Sequence, residues 1–237
     1  MFASKSISES PHKWARLRRA LAACVLGAAL APSAQATALA PAVQAELESA
    51  VADYEAGRIG AAAAAFTALA ARGVAAAQYN LAVMHLHNEL PGASRSTAKQ
   101  LAQRAAEGGF VTAQLMLAHG LENGDFGMRD LPAALGWYEI AATGGSVDAQ
   151  VAIGTAYFLG RGRTRDYAQA ARWYREAAKG GDVGAMYLLA SMYEQGDGVE
   201  RDLRLARYWY AAAAYAGDEA APGKVKELEA KLVGQPG

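Results

Sequence analysis

The sequence is almost without cysteine. Of its 237 residues only Cys24 is a cysteine, and it lies in an N-terminal segment that we predict is removed. A mature chain without cysteine has no disulfide bond, no thiolate metal ligand and no thiol nucleophile. Excess charge of one sign is missing too, because 23 Lys and Arg residues balance 23 Asp and Glu residues. β-Branched residues are sparse whereas alanine is abundant, which favours helices over strands.

The N-terminal segment has the three parts of a secretory signal peptide. Basic residues within 13–19 precede an uncharged apolar run at 20–31, and Ala34-Gln35-Ala36 supplies small residues at the cleavage position. A bilayer-spanning helix needs about 18 or more apolar residues, and this run is shorter. We therefore predict that residues 1–36 are a cleaved signal peptide and that the mature protein is periplasmic, without stable membrane insertion. A second cleavage position at 38–40 remains open.

Removal of the signal peptide changes the charge balance. Residues 1–36 contain five basic residues and one acidic residue, so that 18 basic and 22 acidic residues remain. A mildly acidic chain has no electrostatic attraction to nucleic acid or to an anionic membrane surface. We expect neither as a partner.

The rest of the chain repeats itself with a fixed period, which indicates a repeat architecture. Positions 36 residues apart carry the same residue type, and Asp130, Asp166 and Asp202 are one such series. The other series are a glycine, an alanine and a Trp-Tyr pair: Gly73, Gly109, Gly145, Gly181 and Gly217; Ala77, Ala113, Ala149, Ala185 and Ala221; Trp137-Tyr138, Trp173-Tyr174 and Trp209-Tyr210.

Each period predicts two helices. In the third, an apolar stripe predicts a helix over 147–159, which Gly160-Arg161-Gly162 ends. Asp166, with Gln169 three residues later, matches a capping box at the start of the second helix. Gly180-Gly181 ends that helix. The second helix should direct four side chains inward: Ala170, Trp173, Tyr174 and Ala177.

One such helical hairpin leaves an apolar face that only a neighbouring hairpin can cover. We therefore predict an all-α fold, a right-handed α–α superhelical solenoid of antiparallel helix pairs. The Trp-Tyr pairs should fill the wedge between hairpins, since large aromatic side chains dominate buried surfaces.

The pattern Ala-x-x-x-Leu-Gly/Ala-x-x-Tyr, Gly-x-Gly, Asp, then Ala-x-x-Trp-Tyr-x-x-Ala-Ala-x-x-Gly resembles the Sel-one-like repeat (SLR) family, relatives of the tetratricopeptide repeats. Residues 148–217 match it closely. In the repeat at 76–111, Leu101-Ala102 replaces Trp-Tyr and Asn88-Glu89-Leu90-Pro91 replaces the glycine loop, so its packing should differ. The predicted divisions are the signal peptide, a tetratricopeptide-like hairpin at 37–75 with helices at 41–56 and 58–72, SLR-type repeats at 76–111, 112–147, 148–183 and 184–217, and a capping helix and tail at 218–237.

Residues that would indicate catalysis or metal binding are few. His85 and His87 are two residues apart and do not share a helical face, so a metal site is poorly supported. No Gly-x-Ser-x-Gly elbow occurs in the mature chain. We predict no enzyme, no metal and no cofactor.

The candidate binding site follows from the resemblance. In tetratricopeptide-type solenoids the first helix of each hairpin lines a concave groove, and positions there vary between repeats whereas packing positions do not. Exposed aromatic side chains in a groove often supply binding energy, which draws attention to Tyr79, Phe158 and Tyr187. The full predicted set is Tyr79, Val83, His87, Leu115, His119, Glu122, Thr155, Phe158, Tyr187, Ser191 and Glu194.

These features predict an exported, non-enzymatic adaptor of the bacterial cell envelope that binds a peptide or protein segment in its groove. The resemblance implies roles in envelope assembly, polysaccharide export, signalling or secretion, without choosing among them. Two alternatives stay open: a glycan- or peptidoglycan-active hydrolase, and a structural brace of an export or secretion complex that acts through its convex face.

Overall fold

The structure, a computed structural model, describes residues 39–233, and within that range it is helical without strands. The predicted signal peptide lies outside the described residues. Short loops connect the eleven helices of this range. These helices are α1 Pro41–Glu55, α2 Ile59–Ala71, α3 Ala75–Leu86, α4 Arg95–Glu107, α5 Val111–Asn123, α6 Leu131–Thr143, α7 Val147–Leu159, α8 Tyr167–Lys179, α9 Val183–Gln195, α10 Leu203–Tyr215 and α11 Ala221–Val233.

The chain divides after residue 113 into two compact units. In the first unit, α1 packs on α2, α2 on α3 and α3 on α4. Their shared core contains Leu47 and Tyr54 of α1, Phe66 of α2 and Leu81 of α3. Burial of these large side chains removes apolar surface from water, which is the main stabilising contribution to such a pair of hairpins.

The loop after α3 differs from the glycine loops, as the sequence predicts. Asn88 has a φ of 61° and is the non-glycine residue with positive φ in the described range. Asparagine tolerates this left-handed conformation better than most residues. The next residue, Glu89, accepts a hydrogen bond from the Tyr54 hydroxyl at 2.8 Å through Oε2. The loop is therefore held against α1.

The second unit consists of similar helices, since α6 to α11 each have 13 residues. Aspartate carboxylates cap the second helix of each pair. Asp130 accepts the backbone N–H of Ala133 at 3.1 Å, and Asp166 accepts that of Gln169 at 3.0 Å. Asp202 makes the equivalent bond at the start of α10. The repeated aspartate therefore serves as an N-cap, as predicted.

In the Trp-Tyr pairs, the tyrosine is equally buried in all three repeats, whereas the burial of the tryptophan varies. Tyr138, Tyr174 and Tyr210 are each 1% exposed, whereas Trp173 is buried and Trp137 and Trp209 are half-buried. A Cβ on Gly154 of α7 would lie 3.1 Å from the Tyr174 ring. The small residues of the first helix thus let the tyrosine ring lie against its backbone. The predicted aromatic wedge is confirmed for the tyrosines and holds only in part for the tryptophans.

The last helix covers the open side of α10. It begins at Ala221 because the Asp218 carboxylate caps it, accepting the backbone N–H of Ala221 at 2.8 Å. Leu228 is fully buried in a cluster with Tyr210 and Ala213 of α10, and Val225 packs at its edge. The predicted fold class, all-α with antiparallel helix pairs of the tetratricopeptide and SLR type, is confirmed.

Candidate functional site

The predicted groove residues of the second unit lie on α5, α7 and α9, the first helices of three successive pairs. Several of them meet the buried tyrosine of the second helix in the same pair. In the pair of α5 and α6, the Tyr138 hydroxyl donates to Glu122 Oε2 at 2.5 Å and lies 2.8 Å from His119 Nδ1. The His119 ring meets the Tyr138 ring edge-on, with centroids 5.3 Å apart. Two predicted groove residues therefore converge on one hydroxyl.

The pair of α9 and α10 repeats this arrangement. The Tyr210 hydroxyl donates to Glu194 Oε2 at 3.1 Å, and Ser191 also forms a side-chain hydrogen bond with Tyr210. Ammonium groups of α11 balance the charge of Glu194, since Lys224 Nζ lies 3.3 Å and Lys231 Nζ 3.6 Å from its carboxylate. In the pair of α5 and α6, Arg161 has the same role because it forms an ion pair with Glu122.

The pair of α7 and α8 replaces the carboxylate by a ring. Phe158 occupies the position that Glu122 and Glu194 hold in the neighbouring repeats, and its ring lies 6.4 Å from that of Tyr174. The Tyr174 hydroxyl then has Thr155 Oγ1 as its partner at 3.0 Å. The neutral hydroxyl of Thr155 thus takes the place of the carboxylate as the hydrogen-bond partner of the tyrosine.

The repeat at α3 and α4 lacks the arrangement altogether. Ala102 stands where the other second helices have tyrosine, and Val83 stands where the first helices have a polar partner for its hydroxyl. The two changes belong together, because a polar side chain at 83 would have no hydroxyl to bond with. Val83 is 7% exposed and packs in the interior of the first unit.

The environment keeps the tyrosine hydroxyls protonated. Burial, together with the hydrogen bond to Glu122 and its charge, raises the pKa of Tyr138. Burial followed by the charge and hydrogen bond of Glu194 raises the pKa of Tyr210 in the same way. A protonated hydroxyl is the donor that a buried carboxylate requires. These groups therefore stabilise the helix pairs.

Some of the predicted groove residues are buried within the helix pairs, and others lie partly or fully at the surface. Glu194 is 6% exposed and is occupied by its hydrogen bond and ion pairs. Tyr187 is half-buried and meets the Tyr210 ring edge-on at 4.9 Å, and Phe158 meets Tyr167 at 5.2 Å. The half-buried members are Tyr79, His87, Leu115, Glu122, Thr155, Phe158, Tyr187 and Ser191, and His119 is exposed. The binding role of the whole set remains a prediction.

Tyr79, Val83 and His87 belong to the first unit. Tyr79 lies on α3, and its ring meets that of Phe110 edge-on at 5.5 Å. His87 is the C-cap of α3. In the described part of the chain, no group of three or more His, Cys, Asp or Glu side chains is arranged to hold a metal ion. No helix there has the length and apolar character needed to cross a membrane.

Sequence reasoning missed the cations that accompany the glutamates. Arg161 lies in the repeat after that of Glu122, and Lys224 and Lys231 lie on α11, beyond the repeat of Glu194. The available signal was the spacing of 16 residues between an acid at the end of one helix and the tyrosine of the next, which occurs at Glu122 and at Glu194. This spacing could have predicted that the two carboxylates bond to the tyrosines of their own helix pair, and that they do not simply face solvent along the groove.

Comparison with known proteins decides the family. The model of the Sel1 repeat matches the chain four times, at residues 75–110, 111–146, 147–182 and 183–218, which together are more than half of its length. The chain belongs to the Sel1 repeat family. Sel1 repeat proteins are in general non-enzymatic interaction modules, and the Sel1 fold favours a protein–protein interaction scaffold. A search of curated proteins finds no match.

Solved structures of other proteins resemble this Sel1 protein, and two of them are compared by identity and fold. A protective antigen of uropathogenic Escherichia coli strains, which displays an SLR fold, is 30% identical with a TM-score of 0.70, over 78% of this chain and 41% of the antigen. A Sel1 repeat protein from Oxalobacter formigenes is 29% identical with a TM-score of 0.72, over 79% of this chain and 77% of its own. The chain thus spans less than half of the Escherichia coli protein.

Proposed function

We propose that this Sel1 protein is an exported, non-enzymatic scaffold of the bacterial cell envelope that binds a peptide or protein segment on the groove side of its first helices. In the second unit this surface belongs to α5, α7 and α9, and in the first unit to α3. The partner is another protein of the envelope. The signal-peptide pattern of residues 1–36 supports export to the periplasm.

The observation that carries the proposal is the aromatic content of positions that vary between repeats. Tyr79, Phe158 and Tyr187 are half-buried, so each presents part of its ring to solvent while neighbouring rings hold it in place. A side chain already held in one conformation loses little entropy when a ligand binds. Tyrosine and other aromatic side chains are also the residues that supply most binding energy at protein interfaces.

The polar residues at other positions of the proposed groove would set the specificity. His119 lies exposed on α5, and Glu122 is half-buried beside it. An extended peptide bound along these helices donates backbone N–H groups to such side chains. Hydrogen bonds made in a partly desolvated groove discriminate strongly against ligands that lack the donor group. Rigid presentation, without chemistry, is the proposed mechanism.

The test is affinity capture from periplasmic extract with the mature chain as bait. The comparison bait carries Tyr79→Ala, Phe158→Ala and Tyr187→Ala, and a control bait carries Ile140→Ala, which removes an exposed apolar side chain from α6. Circular dichroism and thermal unfolding establish that all baits are folded. We expect the wild type and the control to retain the same main partner, and the triple variant to lose at least about tenfold of it. Identical partners on all three baits would overturn the groove assignment.

Export has a separate test. The full chain is expressed with its N-terminal segment, and the periplasmic fraction is analysed by mass spectrometry of the intact protein. We expect a mature N-terminus at Thr37, or within a few residues of it. Full-length protein confined to the cytoplasm would contradict the proposed location.

A further inference from the structure

Three polar residues of the first helices occupy the same position in successive repeats and lie beside a buried tyrosine. His119 Nδ1 lies 2.8 Å from the Tyr138 hydroxyl, and Thr155 Oγ1 lies 3.0 Å from the Tyr174 hydroxyl. Ser191 holds the same position on α9. Thr155 and Ser191 are half-buried and have one polar side-chain atom each, whereas His119 is exposed and has two ring nitrogens. His119 therefore has a second polar atom that the tyrosine does not use.

The Tyr138 hydroxyl has a single hydrogen, which it donates to Glu122 Oε2 at 2.5 Å. Glu122 is ionised, because Arg161 forms an ion pair with its other oxygen, Oε1. An ionised carboxylate can only accept, and a hydrogen bond to it is stronger than one between neutral groups. The hydroxyl thus has no hydrogen left for His119. Its oxygen accepts a hydrogen bond from His119 Nδ1 instead.

The donor role of Nδ1 determines the state of the other nitrogen of His119. A neutral imidazole has one N–H and one acceptor nitrogen, and the hydrogen bond made by one nitrogen fixes which of them is protonated. With the hydrogen on Nδ1, Nε2 is the acceptor. Nε2 is the ring nitrogen farther from the backbone, and the side chain is exposed. Within residues 39–233, the hydrogen bond of His119 is the one to Tyr138, so Nε2 is accessible to a ligand.

His85 has the opposite arrangement. The backbone N–H of Ser94 donates to His85 Nδ1 at 3.3 Å. Nδ1 of His85 is therefore the acceptor, and Nε2 carries the hydrogen. This is also the form that an unconstrained imidazole favours in water. The form assigned to His119 thus needs the support of its neighbours, and Tyr138 and Glu122 are its positioning residues.

We propose that Tyr138 and Glu122 hold His119 in the Nδ1–H form, and that its Nε2 is the acceptor with which the groove selects a segment that presents an N–H donor. A site built around a hydrogen bond rejects ligands that lack the matching group, because its own polar atom is then left without a partner. The selection of a donor rests on the proposed function of the groove. The tautomer does not, because it is a property of the free chain.

The tautomers are measured by proton–nitrogen correlation spectra of the mature chain labelled with isotopic histidine, at mildly alkaline pH. Protonated and unprotonated ring nitrogens resonate at well-separated frequencies, so the spectrum reports the position of the hydrogen directly. We expect Nδ1–H for His119 and Nε2–H for His85 in the same spectrum. The variants His119→Gln and His85→Gln assign the signals. Nε2–H as the main form of His119 would overturn the inference.

A matched pair of variants tests the positioning role of Tyr138. Tyr138→Phe removes the hydroxyl and should increase the population of the Nε2–H form of His119. Tyr174→Phe removes the equivalent hydroxyl of the neighbouring repeat, and it should leave the His119 signals unchanged. Circular dichroism establishes that both variants are folded. A His119 spectrum that is unchanged in Tyr138→Phe, or changed equally in both variants, would contradict this role.

The selection of a donor is tested with the protein that the wild-type bait retains from periplasmic extract, after that protein has been identified and purified. His119→Gln places an amide near the position of Nε2 and keeps an acceptor there. His119→Asn places the amide near Nδ1 and leaves the position of Nε2 empty. In calorimetric titrations we expect His119→Asn to weaken binding at least about tenfold, and His119→Gln to weaken it less than about threefold.

The failures of this inference and of the proposed function are distinguishable. Affinities that are equal for the wild type and both variants, or reduced equally in both, would overturn selection through Nε2 and leave the groove intact. A wild-type bait that retains no protein would overturn the proposed function, and selection with it. The imidazole spectrum would still decide which nitrogen of His119 carries the hydrogen.

Discussion

Tyr138 and Glu122, 16 residues apart, are joined by a hydrogen bond of 2.5 Å, and Tyr210 and Glu194, at the same separation, by one of 3.1 Å. The bond links the second helix of a pair to the last turn of the first. Its recurrence shows that the repeat retains a polar contact as well as apolar packing. Where the carboxylate is absent, the contact changes: Phe158 replaces the glutamate, and Thr155 becomes the partner of the Tyr174 hydroxyl.

Tyr210→Phe should therefore destabilise the mature chain more than Tyr174→Phe. The first change removes the hydroxyl donor of a buried carboxylate, and a hydrogen bond to a charged group contributes about 1.5–3 kcal/mol. The second removes a bond between two neutral hydroxyls, which contributes about 0.5–1.5 kcal/mol. The free energy of unfolding is measured by urea denaturation followed by circular dichroism. A larger loss for Tyr174→Phe would contradict the distinction.

Gly198→Ala should be severely destabilising. Gly198 has a φ of +67°, and a Cβ there would overlap the backbone of Tyr167 and Ala168 at the start of α8. The left-handed conformation costs a non-glycine residue about 1–2 kcal/mol, and overlap with backbone adds about 1–3 kcal/mol.

Gly181→Ala is the control for that change. Gly181 has a φ of +95°, but a Cβ added there would meet no atom within 4 Å. It should therefore lose only the conformational part, about 1–2 kcal/mol. Thermal unfolding of both variants measures the difference, and equal melting temperatures would show that the loop does not contact α8 as described.

Trp173→Ala should cost more stability than Trp137→Ala, although the two residues occupy the same position in neighbouring repeats. Trp173 is buried and Trp137 is half-buried. Truncation of a fully buried tryptophan costs about 3–5 kcal/mol because it leaves a cavity. Truncation of a half-buried tryptophan costs less, because water fills part of the space that the ring occupied. Urea denaturation of the two variants checks this order, and tryptophan fluorescence quenching by acrylamide checks the difference in exposure.

His85 should make the stability of the chain depend on pH. Burial lowers the pKa of His85 from its ordinary value of 6.5, and its Nδ1 accepts the backbone N–H of Ser94 at 3.3 Å. As the pH falls below 6.5, the unfolded chain takes up a proton at His85 before the folded chain does. The contribution of His85 is therefore present above pH 6.5 and is lost as the pH falls toward the lowered pKa.

The variant His85→Gln isolates this effect. The difference in unfolding free energy between wild type and variant should shrink as the pH is lowered from 8 to 5, with other titrating groups common to both proteins. A pH-independent difference would mean that His85 has the same pKa in the folded and unfolded chains.

Much of the fold could be predicted because the same capping residues, glycines and apolar positions recur in successive repeats. Helix α7 begins at Val147 and ends at Leu159, as the apolar stripe predicts, and Asp166 caps the next helix. The predicted helices at 41–56 and 58–72 correspond to α1 and α2 to within a residue at each end. Local rules for caps, glycines and helical periodicity are sufficient for such boundaries.

The candidate site could be predicted less well. Its helices follow from the repeat, but the direction in which a side chain such as Glu194 extends depends on the tyrosine and the lysines that it reaches in other helices. Periodicity places a residue on a face of its own helix and does not identify its partner across the pair. The exposure of Tyr208, which is 60% exposed close to the buried Tyr210, was missed for a related reason, because three consecutive aromatic residues at 208–210 resemble a uniformly buried run.

The most direct test of the proposed scaffold is site-specific photo-crosslinking in cells that make the full chain. A photoreactive amino acid replaces Leu159 or Gln195, exposed residues at the ends of α7 and α9, and replaces Gln103, exposed on α4, as the control. We predict the same discrete protein adduct from Leu159 and Gln195 and none from Gln103. Adducts from Gln103 alone, or of equal yield at all three positions, would contradict binding along the first helices.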